Sequence, residues 1–134
     1  WNTAREVLER RAVYLDKDIY IYPLTLSGEQ KQAFLRGLLE RSVDIQIHPR
    51  FYNTLFSNCT NELAKTAGLA WHPSWILTGY SPQRLYDLKM IPGQTFAAAR
   101  DLAFIRDQLR SWNELPSRDF DRTLLAELHR RHGQ

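Results

Sequence analysis

One cysteine stands in the 134-residue chain, Cys59, within the stretch FYNTLFSNCTNELAKTAG at 51–68. A thiol does chemistry only as a thiolate, so its setting decides whether it is a nucleophile or a small hydrophobe. Ser57 and Asn58 precede it, and both are good helix N-caps. With Asn58 as the cap, Cys59 becomes the first helical residue. The free N–H groups of the first turn and the positive end of the helix dipole then lie beside the sulfur. The same N–H groups can hold an oxyanion formed when the sulfur attacks a carbonyl. Leu63, Ala64 and Ala67 form the packing stripe of this helix, with Cys59 and Leu63 four residues apart at its top.

A nucleophilic thiol needs a base, and four histidines are available. His129 and His132 read as solvated helix-end residues. His72 leaves the far end of the Cys59 helix, about 13 Å away at 1.5 Å per residue. His48 lies in an irregular stretch eleven residues before Cys59, so it is the imidazole within reach. Asn58 and Thr60 flank the thiol; Tyr52 reads either as a hydrogen-bond donor into the site or as a half-buried ring with its hydroxyl in water. One cysteine excludes an internal disulfide and a cysteine-rich zinc site. No metal or cofactor is implied.

Charge narrows the partners. Residues 1–50 carry 8 basic and 7 acidic side chains, 51–99 carry 3 and 2, and 100–134 carry 7 and 6. Each third is therefore net +1, with no basic patch of the kind nucleic acid requires. No apolar run reaches the 18 residues of a membrane span. No segment has the pattern of a signal peptide, and the chain opens on Trp1, which is expected of a processed or partial product. The middle third holds 8 of the 16 aromatics with only five charged residues, so it reads as buried or pocket-lining.

The elements that position the thiol follow from pattern. Thr3-x-x-Glu6 and Ser27-x-x-Gln30 are capping boxes, for helices over 4–10 and about 28–42. Residues 12–15 and 18–24 are rich in Val, Ile and Tyr around Asp16-Lys17-Asp18, which predicts a hairpin or two successive strands. Ile19 and Ile21 fall on one face of the second strand, Tyr20 and Tyr22 on the other. Val43, Ile45 and Ile47 alternate with polar residues and predict a short strand or extended lead-in. The Cys59 helix spans 58–67 and stops at Gly68. Pro and Gly between 70 and 93 allow only short pieces, such as a turn over 81–88. A helical pair closes the chain: 95–112, broken by Pro116, and a second helix from Asp119 or Asp121. The expectation is an α+β chain, helix-rich with a small antiparallel sheet, forming a single domain or a domain fragment over 1–134.

Tyr20 to Leu24, Glu29 to Arg41 and Tyr52 to Thr60 together resemble the Lnb N-terminal periplasmic domain family, a bacterial envelope domain long of unknown function. The resemblance covers about 13–93 and is most specific in the Tyr-Asn-Thr and Asn-Cys-Thr loop. It implies a papain-like or NlpC-like thiol fold in the periplasm or cell envelope. It also implies Cys59 as nucleophile, Asn58 as its capping neighbour, and an acyl-transfer or hydrolase activity on lipid or lipoprotein acyl groups. The family's histidine belongs to a strand upstream of the Tyr-Pro-Leu segment, and no matching segment occurs here. The chain therefore reads as the C-terminal part of a complete domain whose partner is an upstream segment of the same protein. The competing reading is a non-catalytic interaction module, with a groove around Trp71 and Trp75 and a buried, unreactive Cys59.

Overall fold

The computed structural model describes residues 3–49 and 58–133. Seven α-helices follow in order among them: α1 (Ala4–Glu9), α2 (Gly28–Ile47), α3 (Cys59–Thr66), α4 (Ser81–Asp87), α5 (Phe96–Ala103), α6 (Arg106–Ser111) and α7 (Ser117–His132). Of the described residues 67% are helical and none forms a strand. The expected antiparallel sheet, and the papain-like or NlpC-like layout built on it, is corrected accordingly. Its trace is one isolated antiparallel bridge, Tyr20 to Phe104. The chain divides into two compact units, residues 1–23 with 93–134, and residues 24–92.

The first unit begins with the Thr3 capping box: the Thr3 N–H donates to Glu6 at 2.8 Å, and the Glu6 N–H donates back to Oγ1 at 3.3 Å. Residues 12–15 were expected as a strand; instead Arg10–Tyr14 continue α1 as a wider π-helical turn. The widened turn leaves the Ala12 carbonyl outside the α-helical ladder, and the Arg110 Nε donates to it at 3.0 Å. Ala12 is then fully buried with Ile19, Ile105, Leu109, Phe120 and Leu124 as the core of this unit.

Residues 19–22 are extended and keep the expected two faces, but they pair with one residue only. Ile105 N–H donates to the Ile19 carbonyl at 3.0 Å, and Ile21 N–H donates to the Ala103 carbonyl at 2.8 Å. These bonds require an extended Phe104 (φ −67°, ψ 122°), so the single helix expected over 95–112 is split into α5 and α6. The Arg131 guanidinium on α7 donates to the Leu102 and Phe104 carbonyls that the break exposes. α7 itself starts at Ser117, directly after Pro116, earlier than its aspartates suggested.

Two titrating groups on α7 tie this unit to pH. Bonds from Arg130 and Arg131 hold the Glu127 carboxyl down at about 2. His132, expected in solvent, is half-buried. Its burial first, and the charge of Arg131 second, hold its pKa below the ordinary 6.5, although a hydrogen bond to the Ile21 backbone opposes them. Both groups bind fewer protons folded than unfolded, so both stabilise at high pH and lose that contribution on acidification. The thermal midpoint should fall as pH drops below 6.5 through His132, and fall again below 4.5 through Glu127. A His132→Gln variant should lose the upper step and keep the lower one. An unchanged upper step in that variant would rule out His132 as its source.

The second unit is built on α2, α3 and the turns that follow. The Ser27 capping box starts α2, with bonds of 2.8 and 3.2 Å to and from Gln30. α2 runs five residues past its expected end and absorbs Val43–Ile47, which were expected to be extended. It stops at His48 because Pro49 disfavours a helical residue before it. Residue Gly37 of α2 faces α3 so closely that a Cβ there would meet Thr66 Cγ2 at 2.8 Å. Trp75 is 2% exposed and donates from Nε1 to the Ala70 carbonyl at 3.0 Å. Gly68 ends α3 in the left-handed conformation (φ +69°), as its residue type suggested.

Candidate functional site

Cys59 is the first residue of α3 and its free thiol is exposed. Asn58 is the N-cap: its side chain accepts from the Asn61 N–H at 2.7 Å, and both asparagines are 2% exposed. The buried cap and buried third residue fix the helix start, while Cys59 between them faces solvent. This is the local sequence Asn-x-x-Asn acting as a clamp, with the chemistry-bearing residue on the outside of the turn. Asn61 was not picked out from sequence, although its spacing from Asn58 is that of a cap and its third-position partner. Asn58→Ala should destabilise the unit by roughly 1–2 kcal/mol through the lost cap and the buried N–H it strands. Chemical denaturation measures this; a loss below about 0.3 kcal/mol would mean that the cap is not what holds α3.

α2 and α3 pack antiparallel, and their contacts set a register. Gly37 meets Thr66, and Arg41 bonds Glu62. One more turn along both helices brings Asp44 level with Cys59. Asp44 accepts from Arg41 at 2.9 Å and lies 3.3 Å from His48 Nδ1, one turn further on. His48 is 71% exposed, so its ring stands in solvent at the C-terminal end of α2. Among the described residues no imidazole bonds the Cys59 sulfur. Continued by a turn, the register set by Gly37–Thr66 and Arg41–Glu62 puts Asp44 and His48 toward the end of α2 that lies alongside the start of α3. Asp44 escaped the sequence reading because residues 43–47 were expected to be extended, which hides its i, i+4 relation to His48.

Below this end lies an ion network. Burial pushes the Glu62 carboxyl up, but bonds from Lys65 (3.0 Å) and Arg41 outweigh it and hold the carboxyl below its ordinary value. The network joins the two helices one turn from Cys59 and keeps a carboxylate charged there.

The other candidates separate from the thiol. Thr60 is the second residue of α3 and half-buried. Tyr52 lies outside the described residues. His72 caps the turn Pro73–Trp75: its Nδ1 is 2.9 Å from Ser74 Oγ and accepts from the Ser74 N–H at 3.2 Å. Its ring meets Trp75 edge-on, so it serves as a structural group. His129 is exposed. Trp71 is 59% exposed whereas Trp75 is buried. A cleft of about 480 Å³ in the same unit is lined by Leu26, Phe34, Leu69 and Met90, with Thr66 and Gln30. It meets α3 at its C-terminal end, about 12 Å of helix from Cys59.

These features describe a helix-rich domain with a free thiol presented at a capped helix start. The chain belongs to the Lnb N-terminal periplasmic domain family, which residues 1–115 match. The match extends beyond the 13–93 that carry the motifs. The chain is thus a periplasmic domain, and the family's description is of the N-terminal domain of a larger protein. No curated protein and no solved structure matches it. Among the described residues no helix is long and apolar enough to cross a membrane.

Proposed function

We propose that the chain carries a cysteine-dependent acyl-transfer site with Cys59 as nucleophile. The observation that supports this reading best is the exposed thiol at the first position of α3, clamped by a buried Asn58–Asn61 cap. In the proposed reaction an imidazole takes the Cys59 proton. The sulfur adds to the carbonyl carbon of an ester, thioester or amide, and first-turn N–H groups hold the resulting oxyanion. Collapse expels the leaving group, which takes the proton from the imidazolium, and leaves an acyl-thioenzyme. An amine or water then attacks that thioester and regenerates the thiol. His48, oriented by Asp44, is the base this chain offers. The acyl donor is a lipid or lipoprotein acyl group.

Trapping of the acyl-enzyme tests the reading. Incubation with a p-nitrophenyl acyl ester should add one acyl mass to the peptide containing Cys59, removable by hydroxylamine. No adduct, or adducts on other residues only, would refute the assignment. Rates of Cys59 alkylation against pH give a second measure. An ordinary thiol profile centred near 8.5 in the wild type, unchanged in His48→Asn, would remove His48 from the site.

The competing interaction-module reading draws on the exposed apolar ridge of α2: Leu35, Leu39, Val43 and Ile47 are each more than half exposed. It expects no acyl-enzyme under any donor.

A further inference from the structure

Residues 19–22 run beside α5 in the first unit, and the side chains pointing away from the core build a second surface. Tyr20 and Tyr22 stack with ring centroids 6.4 Å apart, Tyr22 stacks on Phe96 at 6.3 Å, and Phe104 tilts against Tyr20 at 5.5 Å. Tyr20, Phe96, Ala97 and Phe104, with Arg100 and Asp101, line an open groove of about 490 Å³. That volume is in the range of small-ligand sites.

The two charges in this groove are set differently. The Arg100 guanidinium lies over the Tyr20 ring, 5.0 Å from its centroid, and donates to the Tyr20 hydroxyl at 3.2 Å. Cation–π contact and hydrogen bond together fix the guanidinium and leave its other N–H groups for a ligand. Asp101, the next residue, is exposed in the same groove and only accepts hydrogen bonds. Neither forms a salt bridge among the described residues. The groove therefore offers an apolar floor, a fixed fork of donors and a bare carboxylate acceptor, with no net charge.

We propose that this groove binds a neutral saccharide. A pyranose ring has apolar C–H faces and a rim of hydroxyls, each of which both donates and accepts. Its face fits the floor of Phe96 and Ala97, and its rim needs the donor and the acceptor side by side. A phosphate or sulfate held by Arg100 would meet the Asp101 carboxylate, and a cation held by Asp101 would meet Arg100. Each ion is thus disfavoured by the neighbour of the group that would hold it. Arg100 is already held in place, so binding freezes one fewer flexible side chain. The groove belongs to the first unit, and Cys59 belongs to the second. The inference therefore does not depend on the thiol chemistry.

The test is a titration of the full chain, followed by amide NMR shifts, with two probes used separately: the β-1,4-linked tetramer of N-acetylglucosamine, and maltotetraose. At least one should give saturable shifts centred on Tyr20, Ala97, Arg100 and Asp101. Asp101→Asn removes the ionised acceptor and Ala97→Phe fills the floor; both positions are exposed, so both variants should keep the wild-type melting temperature. Each should weaken binding by about tenfold or more. Three results would overturn the proposal: no saturable shift with either oligosaccharide, equal binding by both variants, or stronger shifts at the same residues with inorganic phosphate.

Discussion

Cys59→Ala is expected to lower acyl transfer by on the order of 10³-fold or more while leaving the fold intact. The two halves of this expectation have separate grounds. On the proposed mechanism the sulfur forms the covalent intermediate, and alanine has no atom to replace it. The side chain is exposed at the first position of α3, so its removal opens no cavity. The stability change should stay within about 0.5 kcal/mol, as for other surface substitutions. Cys59→Ser makes the comparison sharper, because it keeps the size and a hydroxyl but loses the acidity of the thiol. Steady-state rates with an acyl ester, beside melting curves of all three proteins, decide the matter. An alanine variant with wild-type rates would end the nucleophile assignment whatever the base is.

Phe120→Ala should bring the largest loss of stability, about 3–5 kcal/mol. Phe120 is 1% exposed in the core of the first unit. Its ring meets Trp112 edge-on with centroids 6.4 Å apart, and the Arg5 guanidinium sits 5.9 Å from its centroid. Alanine would leave a void among Ala12, Ile105, Leu109 and Leu124, none of which is long enough to fill it. Phe120→Leu keeps much of the volume and should lose less, about 1–2 kcal/mol. Urea denaturation with fitted midpoints and slopes measures both. If the alanine variant lost less than about 1 kcal/mol, Phe120 could not be a closed core position.

Much of the fold was legible where the signal is local. Thr3, Ser27 and Asn58 each cap the helix their residue type announced, and Gly68 closes α3. Two failures have physical causes. Val43, Ile45 and Ile47 alternate over only five residues, too short a window to separate period 2 from a helix continuing without Gly or Pro. The split between α5 and α6 has no breaker residue at Phe104. It arises from bonds to Ile19 and Ile21, some 84 positions earlier in the chain. The same misreading carried into the site: with residues 43–47 read as a short strand or extended lead-in, Asp44 and His48 could not be seen as neighbours. The capped thiol was legible because a cap is a property of four consecutive residues. The register of α2 on α3 was not, because it depends on a glycine whose use shows only once Thr66 is opposite it.

The division into two units has a consequence for synthesis. Residues 24–92 are contiguous, and the Thr25 N–H donates to the Met90 carbonyl at 2.8 Å, so this unit joins its own two ends. The first unit instead needs Ala12 and Ile19 to meet Ile105, Leu109, Phe120 and Leu124. On a ribosome Ala12 and Ile19 emerge ahead of the whole of residues 24–92 and wait until Ile105 to Leu124 have followed. During that interval the unit carrying the thiol can close, while the one carrying the aromatic groove cannot. Its high sequence separation makes it the slower half to assemble and the half with most need of protection from aggregation in the meantime.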